Sequence, residues 1–201
     1  MAAYPVTFDA VRPEKFERPQ VFLRIIVYFV FSFVVSALYL ALPVLAAIWV
    51  SQKGADKYLE EDGPKIKGWL KWAIAVEAYV FMLTDVFPSS EDTSVTYEIQ
   101  ATGKPTVGSA LLRLIMSIPS AIVLGVLTWV SAVIWIIAAI QVLMQETYSG
   151  GLYDFQRGVV RWQARLYAYH ASLVDEYPPF AIDGGHEAAP PVVPPGAPEA
   201  V

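Results

Sequence analysis

The stretch RWQARLYAYHASLVDEYP, residues 161–178, decides the fold, because KWAIAVEAYVFMLTDVFP, residues 71–88, reads as an earlier copy of it. Trp72 returns as Trp162, Ala78 as Ala168, Tyr79 as Tyr169, Leu83 as Leu173, Asp85 as Asp175 and Pro88 as Pro178, each 90 residues on (162 − 72). Upstream, Val6-Thr7-Phe8-Asp9 returns as Val95-Thr96-Tyr97-Glu98, and Leu23-Arg24-Ile25-Ile26 as Leu112-Arg113-Leu114-Ile115, at an offset of 89 (95 − 6). An ordered series at a nearly constant offset is far more specific than any single motif, and it predicts a tandem repeat. Each unit reads as strand, arginine, long apolar helix, polar connection, Trp/Tyr helix and Asp-x-aromatic-Pro.

Composition places the repeat in a bilayer. Of 201 residues, 56% are hydrophobic and 16% charged, with a mean hydropathy of +0.46; soluble domains hold roughly 45–50% apolar and about 25% charged residues. A formal charge of −5 argues against a nucleic-acid partner, which needs a basic stripe to neutralise phosphates. The absence of cysteine excludes disulfides, thiolate metal sites and cysteine nucleophiles. The first twenty residues carry Asp9, Glu14 and Glu17 and no apolar run, so they are not read as a cleaved signal peptide. The first long helix is expected to be its own insertion signal.

Two uncharged runs are long enough to span. Residues 25–52 give 28 positions (52 − 25 + 1) and residues 114–145 give 32 (145 − 114 + 1), against the roughly 20 that cross a core of about 30 Å. The expected fold class is an all-α membrane protein of two helical-hairpin repeats, with short β-strands at one membrane surface. The first repeat covers 1–92, with a transmembrane helix at 25–50 and a Trp/Tyr helix at 68–87. The second covers 93–183, with the corresponding helices at 114–144 and 153–176. Pro43 is a candidate kink and Pro119 a candidate bend. Residues 184–201 form a proline- and alanine-rich tail that lacks the apolar content to fold. The two strand-like pieces either pair in a small sheet or are independent loops.

Trp72, Val76, Tyr79 and Leu83 fall at i, i+4, i+7 and i+11, one helical face, and Trp162, Leu166, Tyr169 and Leu173 repeat it. This seam (Trp72, Tyr79, Trp162, Tyr169) is expected to pack on the long helix of its own unit. Arg157, Arg161 and Arg165 add a cationic stripe, so the second Trp/Tyr helix either lies in the membrane interface or is inserted behind protein. Spanning Trp/Tyr helices would make four crossings and parallel repeats; flat ones would make two crossings and inverted repeats. Basic residues number four before the first span (Arg12, Lys15, Arg18, Arg24) and five after it (Lys53, Lys57, Lys65, Lys67, Lys71). Around the second they number two (Lys104, Arg113) and three (Arg157, Arg161, Arg165). Both connecting loops lead by one, which favours the parallel, four-crossing arrangement.

A hairpin sets the start of each long helix beside the end of its Trp/Tyr helix, so Arg24 with Asp85 and Arg113 with Asp175 are candidate latches. An aspartate in a helix's last turn opposes the dipole and calls for a compensating cation. Glu77 stands in an apolar stretch and is the candidate functional intramembrane acid; hydrogen bonding to a tyrosine is the structural alternative. His170 is the one histidine in a predicted helix, and no second histidine stands nearby to complete a metal or haem site. No phosphate loop, GxSxG or HExxH is present. No catalytic residue, cofactor site or metal site is therefore expected, and no enzyme activity.

The set Phe155-x-x-Gly158-Val159-x-Arg161-Trp162, Arg165-x-x-Ala168-Tyr169 and Leu173-x-Asp175-x-Tyr177-Pro178-Pro179-Phe180 resembles the bacterial membrane-protein family known as domain of unknown function 4389. Residues 113–119 and the Val-Thr-Tyr-Glu strand fit it too, so the resemblance runs over residues 4–183 and is closest in the second repeat. The first repeat departs from it, with Ser89-Ser90 in place of Pro179-Phe180 and Lys71 in place of Arg161. The resemblance implies a bacterial inner-membrane location and transfers no site residues. The expected function is a noncatalytic membrane scaffold or accessory subunit of a larger complex. Its partners would be the lipid bilayer and a protein, by heterologous or self-association. The alternative is a small transporter or lipid-binding protein that uses the interface between repeats.

Overall fold

The computed structural model describes residues 4–88 and 94–183. The tail at 184–201 and the Ser89-Ser90 departure lie outside the described residues. Strand β1 (Val6–Ala10) leads to α1 (Arg18–Lys53), a short turn α2 (Ala55–Lys57), a π-helical segment (Tyr58–Asp62) and α3 (Gly63–Val80). Strand β2 (Val95–Ile99) then leads to α4 (Val107–Met116), α5 (Ile118–Gln145) and α6 (Gly150–His170). The chain is thus mostly helical with one two-stranded sheet.

Local chemistry sets the helix ends. Pro19 opens α1, where a missing N–H costs nothing, and Gly54 at φ 83° closes it in a conformation that side chains resist. The helix runs through Pro43 without ending. Thr106 caps α4 reciprocally with Ser109, and Ser117 closes α4 just before Pro119 opens α5. The single helix expected at 114–144 is therefore two.

The Trp/Tyr helices stop short of the expected 87 and 176. Leu83 N donates to Ala78 O (2.8 Å) and Met82 N to Tyr79 O (3.1 Å); Leu173 N donates to Ala168 O (3.1 Å) and Ser172 N to Tyr169 O (2.9 Å). Met82 (φ 60°) and Ser172 (φ 56°) are left-handed at these ends, the Schellman arrangement that terminates a helix.

The elements stack in three layers. The first is α1 beside α4 and α5, the second α3 beside α6, and the third the sheet with residues 178–183. In the sheet, β1 and β2 are antiparallel with Phe8 opposite Tyr97 and Asp9 opposite Thr96. Alternation turns Val6, Phe8, Ala10, Val95, Tyr97 and Ile99 inward and Asp9, Thr96 and Glu98 outward. The sheet does not sit beyond the ends of the long helices. It lies along the middle of α6: Tyr97 Oη donates to Ala164 O (2.7 Å), and Arg161 Nε to Phe8 O (3.2 Å).

Helix α6 is the centre of the molecule. From Val159 to His170 every residue except Gln163 is buried. The helix is thus covered by protein rather than laid open on a surface. Helices α1 and α5 run antiparallel: Arg24 and Tyr28 line one groove with Ser131 and Trp135, while Ser36 and Tyr39 line the next with Ala121 and Leu124. The parallel direction favoured by the count of basic residues is thus reversed, because a lead of one charge is too small to outweigh packing. On the outer layer, α1 exposes Phe22, Phe29, Phe33 and Leu40, and α4 and α5 expose Ile115, Ile122, Trp129 and Met144. Both α1 and α5 are long and apolar enough to cross a membrane.

Candidate functional site

Two buried arginines hold the ends of α3 and α6. Arg24, fully buried nearly two turns into α1, donates from Nε to Tyr79 O (2.8 Å) and from Nη2 to Thr84 O (2.7 Å) and to Asp85 Oδ1. Its guanidinium stands 4.8 Å from the Tyr79 ring centre. On α4, Arg113 donates from Nη1 to Tyr169 O (2.8 Å) and to Val174 O, and from Nη2 to Asp175 Oδ1 (2.6 Å), 4.5 Å from the Tyr169 ring centre. A helix end leaves carbonyls without intrahelical partners and a partial negative charge; each arginine meets both. Each aspartate accepts a second bond, Asp85 from Glu17 N (2.6 Å) and Asp175 from Lys104 N (2.7 Å). The structure therefore places all four latch candidates in contact, pair by pair.

The aromatic seam divides. Trp72 packs edge-on against Phe31 of α1 (5.5 Å) and Tyr79 lies beneath Arg24, both toward the long helix of their own unit. Trp162 instead meets Phe180 (5.4 Å), and Tyr169 meets Tyr177 (5.4 Å). The chain after α6 folds back over this face, so the expectation for Trp162 is corrected. The same returning strap receives the cationic stripe: Arg161 donates to Ile182 O (3.3 Å), and Arg165 to Ala181 O and Asp183 O (both 2.9 Å). Arg157 pairs with Asp154 (2.9 Å) and Asp9 (3.2 Å). Gly158 makes room for the strap, since a Cβ there would meet Ile182 O at 2.5 Å.

Between α3 and α6 lies Glu77, whose Oε1 accepts from Tyr167 Oη. Its Oε2 has no partner among the described residues. Burial pushes this carboxyl up to about 7, and the Tyr167 bond pulls the other way. Six residues on from Ala164, whose carbonyl accepts from Tyr97, His170 stacks on Tyr39 of α1 (4.2 Å between ring centres) with Nδ1 3.3 Å from Tyr39 O; the position of its proton is set by tautomer. Burial holds this imidazole down at about 4. Among the described residues no three His, Asp or Glu side chains converge on a common point.

Sequence reasoning missed the tyrosines that close helix ends. Tyr153 Oη bonds Ala10 O (3.0 Å) and Leu83 O (3.1 Å), Tyr148 Oη bonds Met82 O (2.8 Å), and Tyr58 Oη bonds Ala171 O. Their signal was faint: each is one more aromatic in an aromatic-rich chain, and its acceptor lies on a distant segment. Two grooves between α1 and α5 were also beyond sequence reasoning. One of about 300 Å³ includes Arg24, Tyr28 and Trp135, and one of about 450 Å³ includes Tyr39, Gln163 and Tyr167. Thr128 lines both.

This geometry defines a class: a mostly helical protein clasped by buried arginines, with two helices of membrane-crossing length and hydropathy. Within it, residues 108–181 match the model of a family described as a domain of unknown function (DUF4389). The match covers α4, α5, α6 and the strap as far as Ala181; the resemblance expected for residues 4–107 lies outside it. Among curated proteins and among solved structures, none matches the chain.

Proposed function

We propose that the protein is a noncatalytic membrane scaffold or accessory subunit, built by tandem duplication. The observation that carries this reading is where the interior cations go. Arg24, Arg113, Arg161 and Arg165 all bond main-chain carbonyls that close helices or belong to the strap and β1, an arrangement that fixes shape. Duplication is supported by the matched partners: Tyr79, Thr84 and Asp85 for Arg24, and Tyr169, Val174 and Asp175 for Arg113, each 90 residues on (175 − 85). Glu77 and Tyr167, also 90 apart (167 − 77), bond each other, as two equivalent positions do on a two-fold axis. The test is extraction of the tagged protein from its own membranes in mild detergent, with mass spectrometry of what co-purifies. A stoichiometric protein partner is the expected result; a specific lipid or small molecule alone would overturn the scaffold reading.

The grooves between α1 and α5 favour one second reading, a small transporter or lipid-binding protein. Glu77→Gln separates the two. A scaffold keeps its assembly and phenotype, whereas a transporter that uses this acid loses function while still folding.

A further inference from the structure

The charges farthest from either helix end decide how this molecule can meet a bilayer. Gln156 Nε2 donates to Ser131 O (3.1 Å), which sets this turn of α6 level with the middle of α5 (Ile118–Gln145). The next residue, Arg157, pairs with Asp9 at 3.2 Å, and the Asp9 side chain is still 63% exposed. Thr96, opposite Asp9, and Glu98, opposite Thr7, are exposed beside it.

Stood upright, α5 would be about 42 Å long at about 1.5 Å per residue, in a hydrocarbon core of about 30 Å. Sliding it along the membrane normal moves its middle only about 6 Å from the bilayer centre before an end enters the core. Asp9, Thr96 and Glu98 would then face acyl chains, which offer no hydrogen bonds and no counter-charge.

Turned on its side, the molecule meets no such conflict. The layer of α1, α4 and α5 is about one helix diameter thick, roughly 10 Å, within the roughly 15 Å of a single leaflet's hydrocarbon. Phe29, Phe33, Ile122 and Trp129 are exposed from that layer, and the sheet lies on the far side of α3 and α6. The high hydropathy of α1 and α5 fits this pose as well as a crossing: one face packs on the protein core and the other meets lipid, so both helices are apolar all round.

We propose that the protein lies flat, with the outer face of α1, α4 and α5 embedded in one leaflet of a lipid bilayer and the sheet in water. This rests on the membrane half of the reading above and replaces crossing with in-plane insertion. The two ends of α1 then share one side of the membrane.

The chain has no cysteine, so single cysteines at Glu14 (before α1), Glu60 (after α1) and Glu98 (on β2) can be labelled in the full chain. Sealed membrane vesicles of both orientations are treated with a membrane-impermeant maleimide. The expected result is that all three positions react from the same side, with near-complete loss of labelling from the other. Glu14 and Glu60 reacting from opposite sides would overturn the proposal. It would mean that the helices cross and that another protein covers the sheet. That pair decides the matter even if the Glu98→Cys chain fails to fold. An alkaline carbonate wash separates the two levels of the reading. Protein released by the wash would overturn membrane embedding altogether, whereas protein retained with its ends on opposite sides would overturn only the flat pose.

Discussion

Arg24 and Arg113 do the same work in different surroundings, and the difference is measurable. The Asp85 side chain is 15% exposed beside Arg24, while Asp175 is 45% exposed beside Arg113. Removing one partner of a buried pair strands the other and costs about 3 kcal/mol or more. Arg24→Met is therefore expected to lower unfolding stability in detergent by about that amount, and Arg113→Met by less, since water can solvate the orphaned Asp175. Equal losses would show that the carbonyls, not the carboxylates, dominate the clasp. Glu77 and His170 supply a second pair of opposed effects. Glu77 is raised from 4.5 to about 7, so its contribution is fully present below pH 4.5 and is lost as pH rises through 7. His170 is lowered from 6.5 to about 4, so its contribution is present above pH 6.5 and is lost as pH falls through 4. Between these limits the two slopes oppose each other, and the native protein should show a nearly flat stability profile. Glu77→Gln should unmask a rise in stability from pH 4 to 6.5, and His170→Asn a fall from 4.5 to 7, each on the order of 3 kcal/mol. A steep profile in the native protein would contradict this pairing. That Glu77 stands out is legible from its apolar neighbours; that its partner is Tyr167, 90 residues on, depends on how α3 and α6 meet.

At the scale of elements, helix ends were the least legible feature, because the left-handed residues there are Met82 and Ser172 rather than glycine. A non-glycine residue in that conformation costs about 1 kcal/mol. Ser172 is also fully buried, and its hydroxyl has no partner among the described residues. Ser172→Gly is accordingly expected to raise stability by about 1 kcal/mol. Met82→Gly should lower it, because the same relief is outweighed by loss of a buried methionine. Matching changes at the two positions would contradict this account. In the sequence Gly158 stands only as part of a pattern, and the structure supplies its reason in the strap passing over it. Gly158→Ala should lift residues 181–183 from Arg161 and Arg165, seen as faster amide exchange in the strap with α1 and α5 unchanged. Unaltered exchange there would show that the strap can shift without loss.

At the scale of the molecule, burying α6 is what turns a chain of hairpins into three layers. Its arginines left two positions open, in the membrane interface or behind protein, since charge in a predicted helix ordinarily means water, headgroups or a protein partner. The carbonyls that accept those charges come from the strap and from β1, segments that local periodicity reads as loop and strand with no sign of where they dock. The sheet along the middle of α6 is likewise what separates a flat pose from an upright one.

By itself the sequence determined the two long apolar stretches, the strand pattern, and the arginines and aspartates that recur at a nearly constant offset. These are local or additive properties: hydropathy, period and spacing are written along the chain wherever one face must be buried. Only the tertiary structure decided that α1 and α5 run antiparallel, that α6 is central, that Trp162 faces the strap and that Glu77 meets Tyr167. Each depends on which distant surfaces come together, and many surfaces of similar composition could have done so; packing and the pairing of buried polar groups select among them.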